Sequence, residues 1–235
     1  MDITDVYINL NIKIYNTPYK KELPCYNCLK KITEDNINSG LNYGNNIIIF
    51  RNEELLKVLI HEVIHALDID IKEENYNEKK KLLRKLNIKE LLVNESYVET
   101  WANIINIYLV LYDKKKRNMS FSDYKEYFNN ECSFNLKQCC KIMLYFNTYT
   151  ITDLSKTKLN DKSNIFSYFI LKTYNLYNIN KFLKQFMDKK NIIVKKYDYS
   201  NYINYLLKII KNDIFYKKIK QLQKNKYNLS MRMTI

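Results

Sequence analysis

The stretch Val58-Leu59-Ile60-His61-Glu62-Val63-Ile64-His65-Ala66-Leu67-Asp68 constrains this chain more than any other, because an apolar helical run there carries the pattern H-E-x-x-H. It also holds both of the chain's histidines. On a helix, residues four apart share a face, so His61 and His65 can each bring an imidazole nitrogen to a common point, with Glu62 at the edge of that face. That spacing supplies two protein ligands of a tetrahedral zinc. The plain alternative is a pair of core histidines beside a stray carboxylate. A chain this poor in histidine has little reason to put its whole supply at a metal spacing, and Glu62 in so apolar a segment needs a partner for a buried charge.

Lys+Arg 39 against Asp+Glu 25 gives a net charge of +14 over 235 residues, a length that suits one domain or a two-lobed one. Such charge can serve nucleic acid or an anionic membrane surface. The chain is also crowded with Asn, Lys, Ile and Tyr (22 tyrosines) and has two Gly, two Pro and one Trp. This is the residue usage that an AT-rich genome, such as that of a large DNA virus or a protist, imposes on all its proteins. The charge is spread along the chain without a stripe or binding motif, so nucleic acid is not the expected partner. Met1-Asp2-Ile3-Thr4-Asp5 shows no signal peptide, and the longest apolar stretch, Ile104 to Tyr112, is interrupted by Asn106 and too short for a membrane span. The expected location is intracellular: the cytoplasm or, for a viral protein, the virion or host cytoplasm. Five cysteines, two of them adjacent at Cys139-Cys140, agree with a reducing compartment. Cys25-x-x-Cys28 has the spacing of half a zinc site or a redox pair, but with both histidines claimed elsewhere we read these as free thiols.

Along the chain, Val6 to Tyr15 alternates with the period of a half-buried strand, and Cys25 to about residue 36 reads as a short amphipathic helix. Both glycines fall in Ser39 to Asn46, where the backbone needs positive φ or room for close approach, and Ile47 to Phe50 reads as a short buried strand. The histidine helix is expected to start at an Asn52 N-cap, with Glu53 and Glu54 in its first turn, and to end near Asp68 to Asp70. Ile71 to Lys81, strongly charged, reads as an exposed connection. A second long helix is expected from Ile88 to Asp113. Glu95 falls inside its apolar stripe of Leu91, Val98, Ala102, Ile105 and Leu109, where a metal ligand would explain a carboxylate. Helices follow near 120–129, capped by Ser120 or Ser122, and near 133–147, 163–176, 179–188, 199–211 and 213–224. The reading is α+β, with a strand-containing lobe over 1–70 and an all-helical lobe over 71–235.

His61-Glu62-x-x-His65 followed by Asn94-Glu95-Ser96-Tyr97-Val98-Glu99-Thr100-Trp101 resembles the gluzincin branch of the zincin metallopeptidases, whose downstream motif runs N-E-x-x-x-E or N-E-G-F-A-x-x-W. The metzincin continuation is missing, since Asp68 and Ile71 stand at its Gly and third His, and the E-G-C-L-S motif of peptide deformylases is absent. The resemblance implies a zincin-like fold, one zinc per chain on His61, His65 and Glu95, Glu62 as general base, and Glu99 orienting a ligating histidine. Asp68, further along the same helix, is a weaker third ligand because its carboxylate would aim past the metal. The resemblance also implies an extended peptide substrate along an edge strand before the active helix, at Ile47, Ile48, Ile49 and Phe50.

Two neutral imidazoles and a carboxylate leave a zinc site positively charged with a fourth position for a water, whose pKa falls to about 7. Glu62 can take that water's proton during attack on a carbonyl and deliver it to the leaving amine. Glu99, one turn past Glu95, is either a plain surface charge or the acceptor of a histidine N–H. For the oxyanion donor the sequence offers no later histidine and too many tyrosines. Arg232, one of four arginines and set in a nearly uncharged tail, would serve if the tail folded back rather than frayed. The expected function is zinc-dependent hydrolysis of peptide bonds in a peptide or protein substrate. A zinc-binding scaffold without turnover is the alternative, and a basic nucleic-acid-binding protein ranks below both.

Overall fold

The first expected strand forms over Asn11–Thr17 (β1), and the glycine-bearing stretch supplies a second strand, Gly40–Tyr43 (β2), that turns into a third, Asn46–Arg51 (β3). Gly44, at φ +58, makes that turn. The computed structural model describes residues 9–24, 31–72, 76–88, 90–115, 118–151, 153, 164–187, 198–210, 216–222 and 227–235. Its architecture is α+β, a three-stranded sheet beside a mostly helical body.

The strand order is β1-β3-β2, with β1 parallel to β3 and β2 antiparallel to it. Ile47 to Phe50 is therefore the centre of the sheet and not an edge, because strands pair on both of its sides. The edge next to the histidine helix is β2. Ile47 and Ile49 are buried against Val58 of the helix Leu55–Ala66 (α1). The half-burial expected of β1 does not occur: Ile12 is 42% and Ile14 47% exposed, since α1 packs on β2 and β3 and leaves the outer strand uncovered.

α1 starts three residues later than Asn52. Glu54 takes a left-handed conformation (φ 62) and precedes the helix, so its carboxylate turns into the interior and does not face the helix dipole. The stretch expected to be an exposed connection instead ends in a helix, Tyr76–Leu86 (α2), whose Leu82, Leu83 and Leu86 are buried while its charges face out. Three leucines among eight polar or charged neighbours were too few to show a helical period. The long helix begins at Val93 rather than Ile88 and runs Val93–Lys115 (α3). The two helices expected around residue 130 are one, Phe121–Tyr145 (α4), capped by Ser120 through a reciprocal pair with Asp123. Its mid-helix Glu131 and Asn135 are buried polar residues that interrupt the apolar pattern without breaking the backbone.

Next come a helix with a π turn over Phe166–Leu171 continuing through Lys172–Tyr177 (α5), then Ile179–Phe186 (α6), Tyr199–Ile209 (α7) and Tyr216–Leu222 (α8). Tyr97 and Trp101 of α3, Phe182 and Phe186 of α6, and Tyr202 and Tyr205 of α7 form an aromatic centre of tilted and edge-on rings. Each such side chain, fully buried, contributes about 1.5–3 kcal/mol. Residues 229–235 fold back inside. Leu23 donates to the Leu229 carbonyl (2.8 Å) and Met231 to that of Lys21 (2.7 Å). Cys132, Cys139 and Cys140 are buried. Among the described residues, no helix is long and apolar enough to cross a membrane. The Cys25-x-x-Cys28 pair, residues 25–30 of the helix read over 25–36, residues 6–8 of the first strand and the outermost residues of several expected helices lie outside the described residues, and the described remainder of 25–36 is irregular chain with one 3-10 turn, Glu34–Asn36.

Candidate metal centre

α1 and α3 pack against each other, and each presents a pair of residues four apart: His61 and His65 from one, Glu95 and Glu99 from the other. His61 Nε2 and His65 Nε2 lie 3.2 Å apart; Glu95 Oε2 is 3.3 Å from the first and Oε1 3.6 Å from the second. Ligands held about 2.0–2.1 Å from one tetrahedral ion stand about 3.3–3.4 Å from each other, so the triad has the spacing of a metal site. Glu95 Oε2 is buried with no hydrogen-bond partner, a cost to the fold that a cation would relieve. His61, His65 and Glu95 thus form a group that could hold a metal ion. The donor set of two imidazoles and one carboxylate suits zinc and other divalent transition metals alike.

The far side of each ring meets a carboxylate. Glu99 Oε1 is 2.9 Å from His61 Nδ1, and Asp70 Oδ2 is 3.0 Å from His65 Nδ1. Asp70 hydrogen-bonds His65 Nδ1 and so aims that ring's Nε2 at the shared point, while Glu99 stands close to His61 Nδ1 without hydrogen-bond alignment. Asp70 is a residue of the candidate site that sequence reasoning missed. Asp68, the weaker ligand candidate, adopts φ 54 just past the helix end, stays exposed and pairs with Lys72. The turn at Asp68 swings the chain so that the next acid, Asp70, faces back to His65. The detectable signal was the pair of acids just past the helix end.

Burial disfavours charge on His65, yet its hydrogen bonds with Asp70 and Glu95 outweigh that and raise its pKa to about 10. His61 is likewise raised: burial opposes, while Glu95 and Glu99 prevail. Glu95 is held well below the carboxylate range, since its contacts with the two rings overcome burial. The carboxylates around the triad thus favour the protonated rings.

Glu99 is fully enclosed. It pairs with Lys57 through Oε1 and lies 3.5 Å from Lys172 through Oε2, and these cations overcome burial to keep it ionised. For Glu62 the balance is reversed. Burial raises its pKa, and the neighbouring His61 and His65 only partly offset this.

Glu62 faces a groove of about 400 Å3 lined by the triad, Tyr168 and residues of β2. A smaller alcove of about 50 Å3 opens beside it toward Lys57, Val58 and Met233. A Cβ on Gly40 would come 2.9 Å from Val58 Cγ1 and 3.0 Å from Glu62 Oε1, so glycine there lets β2 seat directly against α1 and the Glu62 carboxylate. Tyr168, from the π turn, lines both cavities, and its ring centroid is 6.1 Å from that of His61. Burial and the charges of Glu95 and Glu99 keep its phenol protonated, hence a donor. Arg232 does not reach the site. The tail does fold back, but Arg232 is 40% exposed beside Glu53 (3.9 Å), and the tail residue that lines the alcove is Met233. In comparisons with known proteins, no family model matches the chain, and neither a curated protein nor a solved structure does.

Proposed function

We propose that the chain is a zincin-like, zinc-dependent metallopeptidase that hydrolyses peptide bonds in a peptide or protein substrate, with Glu62 as general base. One observation carries the reading: three ligand atoms converge within tetrahedral spacing, and a raised-pKa carboxylate on the same helix faces the same groove. His61, His65 and Glu95 would hold one zinc. When bound, it would supply Lewis acidity, polarising a carbonyl and lowering the pKa of a water to about 7.

The remaining work falls to the chain's own groups. Glu62 takes the proton of the attacking water and returns it to the leaving amine, and burial brings its basicity toward the range such a shuttle needs. Asp70 fixes the tautomer of His65, and Glu99, beside Nδ1 of His61, would orient that ring. Tyr168, a protonated phenol on the groove wall, donates to the oxyanion that develops on the substrate carbonyl. β2, the edge strand beside Glu62, offers backbone groups to an extended substrate, which gives affinity with little sequence preference.

The test is Glu62→Gln. Metal content and thermal stability should stay near wild type, while cleavage of a mixed peptide library should fall by about 10²–10⁴. A variant that cleaves at the wild-type rate would remove Glu62 from the chemistry. A wild-type protein that holds zinc yet cleaves nothing would favour a metal-binding scaffold.

A further inference from the structure

The segment 229–235 is tied to the interior by charged groups that also reach the metal centre. After pairing with Lys21 and Leu23 it runs inward, and Met231, Met233 and Thr234 are buried. The backbone N–H groups of Met233 and Thr234 both donate to Glu54 Oε1 (2.6 Å each), whose other oxygen holds Lys21 (2.7 Å). The Met233 carbonyl accepts from Lys172 Nζ (2.9 Å), and Met233 Sδ lies 3.6 Å from Lys57 Nζ. Further along, Thr234 Oγ1 and the Ile235 N–H donate to Glu131 Oε2 (2.9 and 3.1 Å).

The two lysines that touch Met233 are the two that hold Glu99, and Glu99 is the carboxylate at Nδ1 of His61. Buried contacts thus run from Met233 through Lys57 and Lys172 to Glu99 and on to His61. Met233 also lines the alcove beside His61 and Glu62. Lifting the segment would take an acceptor from Lys172 and two donors from Glu54, and would open a path for water behind His61. Buried charged groups left short of partners re-aim toward water, and here Glu99 would move with its lysines.

We propose that residues 229–235 act as a strap whose docking seats His61, so that metal binding and strap docking are one linked equilibrium. This regulation rests on the metal reading above. By reciprocity, metal should tighten the strap and a lifted strap should weaken metal binding by the same factor.

Hydrogen exchange of the full chain, with and without Zn²⁺, should show residues 229–235 better protected when metal is present. Thr234→Pro, which removes one N–H from Glu54, should bind Co²⁺ on the order of tenfold more weakly and shift the visible absorption of the bound ion, which reports ligand geometry. Glu131→Gln, which alters the outer anchor on Oε2 and keeps an oxygen for the Asn103 and Asn135 amides that share the carboxylate, covers the case in which the proline variant does not fold, and should weaken Co²⁺ binding in the same direction. Phe182→Leu, in the aromatic centre away from the site, is the control for general destabilisation and should leave affinity and spectrum unchanged. Equal protection with and without metal, strap variants that bind as wild type does, or a control that weakens binding as much as they do would each overturn the linkage. In all three the metal reading stands. A wild-type chain that binds neither Zn²⁺ nor Co²⁺ would remove both.

Discussion

Two buried clusters of charge lie side by side in this molecule, and they are built on opposite plans. Around the strap, Lys21 meets Glu54, and Lys57 and Lys172 meet Glu99. In the triad, two imidazole nitrogens and a carboxylate turn toward the same point, and one buried carboxylate oxygen is left without a hydrogen bond. Paired buried charges are weak evidence of function, because their desolvation is compensated on the spot. Ligand atoms turned toward one point gain no such pairing of their own and mark a place where a ligand would relieve the cost. Burial and charge alone would have ranked the two clusters equally, and the direction in which the atoms face separates them.

The comparison can be broken most directly at the triad. His65→Ala should abolish stoichiometric metal binding, and His61→Ala likewise, as read by metal analysis of purified protein. Zinc retained at the wild-type level in either would dissolve the distinction. On the other side, Lys21→Met should lower unfolding free energy by about 3–5 kcal/mol, since it strands the Glu54 charge in a dry interior. A denaturant midpoint unchanged from wild type would show that the strap cluster is not the paired lattice described. Within the site, Glu95→Gln should weaken zinc binding more than Glu99→Gln, which by loss of an orienting partner should cost about 10–100-fold. The opposite order in a competition titration would make Glu99 the ligand.

A further effect is with pH. A pKa of about 10 for His65 in the metal-free protein lies above its unfolded value, so the stability it adds is full below about 6.5 and is lost as pH rises toward 10. Metal must displace those ring protons, so apparent affinity should rise with pH over the same interval, by about tenfold per unit for each proton displaced. Affinity independent of pH from 6 to 9 would mean that the rings are not the ligands.

The triad could be read from the sequence because its geometry is local. Four-residue spacing on two helices fixes which faces His61, His65, Glu95 and Glu99 share, and the helical period carries that information without a fold. Asp70 was lost because its position depends on the left-handed residue at Asp68, a backbone choice that apolar patterning does not record. The substrate strand was assigned to β3 because a short apolar run looks the same at the edge of a sheet and at its centre. Only β2, a four-residue strand with two apolar residues, separates the cases, and it is too short to announce itself. Tyr168 and Met233 were out of reach for another reason. Each arrives at the site from a distant stretch of chain, and one tyrosine of 22 carries no mark of where it will land.

The π turn over Phe166–Leu171 is the device that delivers that tyrosine. A π turn spends one more residue per turn than an α-helix, so it changes the angular phase between the two halves of α5. Thr173 and Asn175 of the second half hydrogen-bond in the interior, to Cys139 and to Thr100 and Tyr202, while Tyr168 in the first half reaches the groove. In a uniform α-helix both halves would keep one fixed phase, and with the interior half in place Tyr168 would be turned away from its present direction. At this point the count of residues matters more than their kind. Conservative changes at the buried positions around Tyr168 would keep that phase, and the loss of a single codon there would not.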